Sequence, residues 1–124
     1  MTPWMYALPL LLVVPSPAFS ESEFCEMLSG FAVTLNAANG AMIDAITRNE
    51  GMAVSCDRKN VDFKKSVALT SFDLYARRSG IEKKWNQHYC PNKEWAPVFA
   101  AGWSASTTIT ALDGKSLTVT ATCK

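Results

Sequence analysis

Four cysteines, at positions 25, 56, 90 and 123, constrain this chain more than any other feature. Their separations of 31, 34 and 33 residues do not match the close ligand pairs that hold structural zinc. In a short chain with an apolar leader, cysteines spread this evenly are the staples of an oxidised, exported protein. Cys25, Cys56, Cys90 and Cys123 are therefore expected to form two disulfides, each adding about 2–4 kcal/mol. Three pairings stay open from sequence. Once paired, none of the four is a nucleophile or a metal ligand, and neither a metal nor a cofactor is expected.

The leader is the run ALPLLLVV at residues 7–14, long enough for the core of a signal peptide and too short to span a bilayer. Pro15 and Pro17 break it, and Ala18 and Ser20 put small side chains at the two positions a signal peptidase reads. Residues 1–20 are thus expected to be a signal peptide and residues 21–124 a single secreted or periplasmic domain. No stable membrane insertion is expected after the leader is removed. Met1 to Tyr6 hold no Lys or Arg, so the terminal amine or an upstream start supplies the usual positive charge.

Net charge is only +1, but it is unevenly spread. Residues 21–50 carry Glu21, Glu23, Glu26, Asp44 and Glu50 against Arg48 alone. Residues 51–93 carry nine Lys or Arg against Asp57, Asp62, Asp73 and Glu82. Such asymmetry marks either a binding face or two elements that attract each other.

One helix stands out. Phe24, Leu28, Phe31, Leu35, Ala38, Met42 and Ala45 recur at steps of four and three and form a single apolar stripe. Ser20 or Ser22 can cap its start, with Glu21, Glu23 and Glu26 in the turn where the helix dipole favours negative charge. Gly51 is the expected stop, and Asn39-Gly40 is a weak point that can split the helix.

The C-terminus reads as a hairpin with strands over 102–111 and 115–123. A three-residue loop, Leu112-Asp113-Gly114 with Gly114 left-handed, pairs Ile109 with Leu117, Thr107 with Val119, Ala105 with Ala121 and Trp103 with Cys123. This register gathers the apolar side chains on one face. The other face becomes an uncharged ladder of Ser104, Ser106, Thr108 and Thr110 beside Ser116, Thr118, Thr120 and Thr122, expected to be solvated surface.

Between these ends, Met52–Cys56 and Val61–Leu69 read as strands joined by a turn at Asp57–Asn60. Residues 71–89 read as a helix interrupted near Gly80, and Pro91 and Pro97 bracket a loop. The resulting architecture is α+β: a long N-terminal helix packed on an antiparallel sheet with a C-terminal β-hairpin, stapled by two disulfides. In element order alone it is similar to cystatin-type and nuclear-transport-factor-type rolls, with no shared motif and no residue or activity carried over.

The stretch 77–95 carries the most chemistry. Arg77, Arg78, Lys83, Lys84, Trp85, His88 and Trp95, with Tyr89 and Lys93, interleave cations with aromatic rings. Such a segment can clamp an anionic polymer while stacking on its rings. His88 is the only histidine. A small secreted hydrolase such as a ribonuclease could pair it with Glu82 or Glu94 and use Arg77 and Lys84 as phosphate clamps. No nucleophile elbow, metal-binding His pair or phosphate loop accompanies it. The sequence therefore points first to a non-catalytic binding protein, an inhibitor, immunity factor or accessory subunit acting on a protein partner in the cell envelope or outside the cell. The hydrolase and the polyanion-binding module are the alternatives.

Overall fold

In a computed structural model, residues 20–123 are described; the expected leader, apart from Ser20, lies outside them. Helix α1 spans Glu21–Asn36, followed by strands β1 (Thr47–Ser55) and β2 (Asn60–Val67). Helices α2 (Ser71–Ala76), α3 (Arg78–Tyr89) and α4 (Ala96–Ala100) come next, and β3 (Ser104–Thr110) and β4 (Ser116–Thr120) end the chain.

Helix α1 starts where a capping box fixes it. The Ser20 hydroxyl accepts from the Glu23 amide while the Glu23 carboxylate accepts from the Ser20 amide. It ends fifteen residues before the expected stop. Asn49, reaching from β1, donates to the carbonyls of Leu35 and Ala38, each at 3.1 Å, and so satisfies groups that a continuing helix would have bonded. Gly40 then adopts φ +87°, outside the helical region. Ala38, Met42 and Ala45 leave the stripe as a result. Residues 40–49 double back as a narrow turn in which Met42 bridges Arg48 and the Asp44 side chain accepts from the amides of Ile46 and Thr47. Gly51 lies inside β1, at a bulge where φ is +104°.

The four strands form one sheet in the order β1-β2-β3-β4. The β1–β2 and β3–β4 pairs are antiparallel hairpins, whereas the central β2–β3 pair runs parallel. The sheet is therefore mixed rather than wholly antiparallel. The parallel pair follows from the long connection through α2, α3 and α4, which carries the chain back to the starting end of β2 before β3 begins. The C-terminal hairpin has the expected register, with Ile109 opposite Leu117 and Thr107 opposite Val119, and Gly114 is left-handed at φ +84°. The break in the 71–89 helix falls at Arg77 rather than Gly80, and a short helix, α4, occupies the region expected to be a loop between Pro91 and Pro97 and beyond it.

All the helices cover one face of the sheet. Phe24, Leu28 and Ala32 of α1 meet Val61 and Phe63 of β2, Trp85 and Tyr89 of α3, and Leu117 and Val119 of β4 in a single buried cluster. Two disulfides close the ends of this layer. Cys25–Cys56 ties α1 to the turn after β1, and Cys90–Cys123 ties the end of α3 to the chain after β4, with Cα–Cα distances of 5.7 and 5.2 Å. Both bonds fit an extracytoplasmic location. Among the described residues no helix is long and apolar enough to cross a membrane.

Candidate functional site

Helix α1 packs over β1, and α3 over β4. Beyond the end of α1 a groove of about 830 Å³ lies over the middle of the sheet, floored by β2 and β3 and walled by the end of α1, the 40–47 turn and α3. Its floor holds Phe63, Val67, Thr107 and Ile109. Its first wall presents Phe31, Met42, Ile43 and Ile46, which are 47%, 53%, 55% and 38% exposed. Large apolar side chains gathered this openly around one depression are unusual for a folded surface.

The opposite wall is basic. Arg77, Ile81, Lys84 and His88 recur at steps of four, three and four, so they form one stripe of α3, and all four line the groove. Arg78 and Lys83 are exposed and do not line it. The structure thus divides the sequence-selected cations between the groove and the outer surface of the helix.

The aromatic members of the same segment turn inward. Trp85 and Tyr89 are buried, with ring centroids 4.5 Å apart, and Phe63 lies 5.7 Å from Trp85 and 5.8 Å from Tyr89. Trp95 completes the cluster 5.1 Å from Tyr89 and faces a smaller depression with Met27, Phe31 and Glu94. The Trp85 indole N–H donates to the Ala105 carbonyl at 3.0 Å, which fixes the ring. Burial pushes the Tyr89 phenol up to about 12. The His88 ring meets Tyr89 edge-on at 4.6 Å, and among the described residues no carboxylate is hydrogen-bonded to it. Nor do three or more His, Cys, Asp or Glu side chains gather there as a metal site.

Lys65 was not singled out by the sequence. It follows Val61 and Phe63 and precedes Val67 in the inward-facing row of β2, so its side chain enters the groove. Its Nζ lies 4.7 Å from the Trp85 ring centroid. Burial holds this amine below the ordinary lysine value, and the Asp44 charge opposes that shift. The signal was present in the sequence as a single cation interrupting an alternating apolar row. The 41–46 turn is not legible in the sequence, because Met42 and Ala45 continue the helical spacing of the stripe.

The hydroxyl face of the sheet is occupied by its own bonds. Thr108 pairs with Thr118 at 3.1 Å and Thr110 with Ser116 at 2.9 Å. Asp62 accepts from Ser106 and Thr108, and Asn60 from Ser104.

Together these features define a disulfide-stapled α+β protein with its helices on one face of a mixed sheet and an open apolar groove between α1 and α3. Two solved structures share this fold. A Pseudomonas aeruginosa protein described as secreted superposes with a TM-score of 0.67 at 15% identity, covering 86% of this chain and 94% of its own. EpsS, the pilotin of the Vibrio vulnificus type 2 secretion system, superposes with a TM-score of 0.54 at 16% identity, covering 82% and 90%. No family model matches the chain, and no curated protein matches its sequence. At these identities the likeness establishes the fold.

Proposed function

We propose that this chain is a small exported, non-catalytic binding protein, freed from a leader ending at Ser20, whose groove receives an apolar segment of a protein partner in the cell envelope or outside the cell. The observation that carries this reading is the exposed row Phe31, Met42, Ile43 and Ile46 facing an apolar floor. Side chains of this kind on a stable surface are favoured where a partner covers them. The likeness to a pilotin, a component of a secretion system, supports an accessory role over an inhibitor or immunity factor. Of the sequence-selected residues, Arg77, Lys84, Trp85 and His88 belong to this groove, while Arg78, Lys83 and Trp95 lie apart from its lining.

The test is site-specific crosslinking in the producing cell. A photoreactive phenylalanine analogue at position 46 should give one discrete crosslinked protein, and the same residue at position 118, on the hydroxyl face, should give none. Crosslinks from position 118 but not from 46 would move the binding surface to the other side of the sheet and end this reading.

A further inference from the structure

Resting on that reading, we propose that the segment received by the groove is acidic as well as apolar: an Asp or Glu of the partner, set among large aliphatic side chains, pairs with Lys65 Nζ at the groove floor. The argument begins with what surrounds Lys65. Its cross-strand neighbours are Asn49 on β1 and Ile109 on β3, both buried. The Asn49 amide already serves the carbonyls of Leu35 and Ala38 and the Gly51 amide. Asp44 is the one carboxylate lining the groove, and its Oδ1 already accepts from Ile46 and Thr47 at 2.9 Å each. The ammonium rests against the Trp85 ring and feels the Asp44 charge, but among the described residues no carboxylate is hydrogen-bonded to it.

Covering the groove changes that balance. An occupant that was apolar throughout would strip the remaining water from Lys65 and strand a cation in a low-dielectric site, at a cost that cancels much of the gain from apolar contact. A carboxylate at the same place supplies a counter-charge in direct contact and a charge-assisted hydrogen bond. The walls agree in sign. Arg77 and Lys84 line the α3 wall against the single, already engaged Asp44. From Arg77 to Lys84 these cations extend over about 10 Å at 1.5 Å per residue. A single-headed amphiphile meets one of them; a peptide with several acidic residues meets both.

The test selects a random twelve-residue peptide library displayed on phage against the oxidised, exported chain. Recovered peptides are then titrated by fluorescence anisotropy against the wild type and against Lys65→Met, Lys65→Arg and Met42→Asp, each checked for folding by circular dichroism. The proposal expects peptides with Asp or Glu between aliphatic residues. Changing that acid to its amide should weaken binding about tenfold or more on the wild type and on Lys65→Arg, the range for a charged hydrogen bond, and have little effect on Lys65→Met. Peptides that show no acid preference, bind Lys65→Met as tightly and still lose affinity to Met42→Asp would overturn the carboxylate pairing and leave the groove reading standing. Peptides indifferent to Met42→Asp, or no peptide at all, would overturn both. Sodium dodecanoate, titrated below its micelle concentration, is the remaining arm: Lys65-dependent binding of it without any selected peptide would make the occupant an amphiphile and end the proposal.

Discussion

Asn36, in the last turn of α1, holds both backbone groups of Met52 in β1: its Oδ1 accepts from the Met52 amide at 2.7 Å and its Nδ2 donates to the Met52 carbonyl at 3.3 Å. This one side chain docks the helix onto the edge strand beside the groove. Replacing it with Ala leaves two partly buried groups without partners, and Asn36→Ala should lower stability by about 1–3 kcal/mol. Gly51→Ala should be worse, because φ there is +104° and a Cβ would strike Asn36 Oδ1 and approach Asn39 Oδ1 to 2.9 Å. Urea unfolding of both variants checks the order. Gly51→Ala unfolding at the wild-type midpoint would show that this contact does not constrain the fold.

The two disulfides close loops that do not overlap, residues 25–56 and 90–123. Loop-closure entropy for separations of 31 and 33 residues gives each about 3–4 kcal/mol, and the two should act independently. Removing either pair as Ser should therefore cost a similar amount. Removing both should cost about 7 kcal/mol, within the whole stability of a typical small domain, and leave the chain largely unfolded. Circular dichroism of the three variants under oxidising conditions is the measurement. A quadruple variant that melts like the wild type would sink the argument.

Trp85 and Trp103 are both buried, and they differ in one respect. The Trp85 N–H donates to Ala105, whereas the Trp103 N–H has no hydrogen-bond partner among the described residues. Truncating either ring to Phe removes comparable apolar contact, but only Trp85→Phe also removes a bond. Trp103→Phe should accordingly cost about 1 kcal/mol less than Trp85→Phe in a denaturant titration. Equal costs would mean that packing alone sets both.

The parts of this fold that depend on local chemistry were legible in the sequence. Register in the C-terminal hairpin followed from apolar alternation and from Gly114, and Ser20 was already a helix-cap candidate. What was not legible depends on distant partners. Helix α1 ends where it does because Asn49 takes its last carbonyls, a contact between residues eleven and fourteen positions apart. The parallel pairing of β2 with β3 rests on a connection of three helices, whose route no local pattern encodes. The groove was not legible for the same reason: one of its walls is the turn that follows α1, and Met42 lines it only because the helix ends at Asn36. Of the cations selected from the 77–95 segment, Arg77 and Lys84 line the groove and Arg78 and Lys83 do not, a division that depends on how α3 is turned against the sheet.

Two exposed carboxylates of the mature domain are held below their ordinary range by hydrogen bonds: Asp44 by Ile46 and Thr47, and Asp113 by Ser71 and Lys115. A folded-state pKa below the unfolded value contributes stability that is present above the unfolded pKa and lost as pH falls through the folded one. The urea midpoint should therefore hold down to about pH 5 and decline below about pH 4. Asp113 carries one share of this, through a 2.6 Å bond from the Ser71 hydroxyl that ties the β3–β4 turn to the start of α2. Asp113→Asn keeps an acceptor and loses the titration, so its acid decline should be shallower. An identical slope would remove Asp113 from the account.

The groove walls make a prediction that needs no partner. Met42 and Ile46 are already 53% and 38% exposed, so changing them should shift stability by no more than about 0.5 kcal/mol, as for most surface positions. They nevertheless form one side of an open apolar depression with a lysine at its floor. An anionic apolar dye such as anilinonaphthalene sulfonate matches that chemistry and should fluoresce with the folded wild type. Met42→Asp and Ile46→Asp should melt as the wild type does and lose most of the dye signal, because each places a carboxylate in the apolar wall and opposes the anion. The hydroxyl-face control Thr118→Asp adds the same charge elsewhere and should keep the signal. Loss of fluorescence in Thr118→Asp as well would attribute the effect to net charge. Retention in all three would mean the dye does not enter the groove, and the exposed row beside β2 would then be ordinary surface.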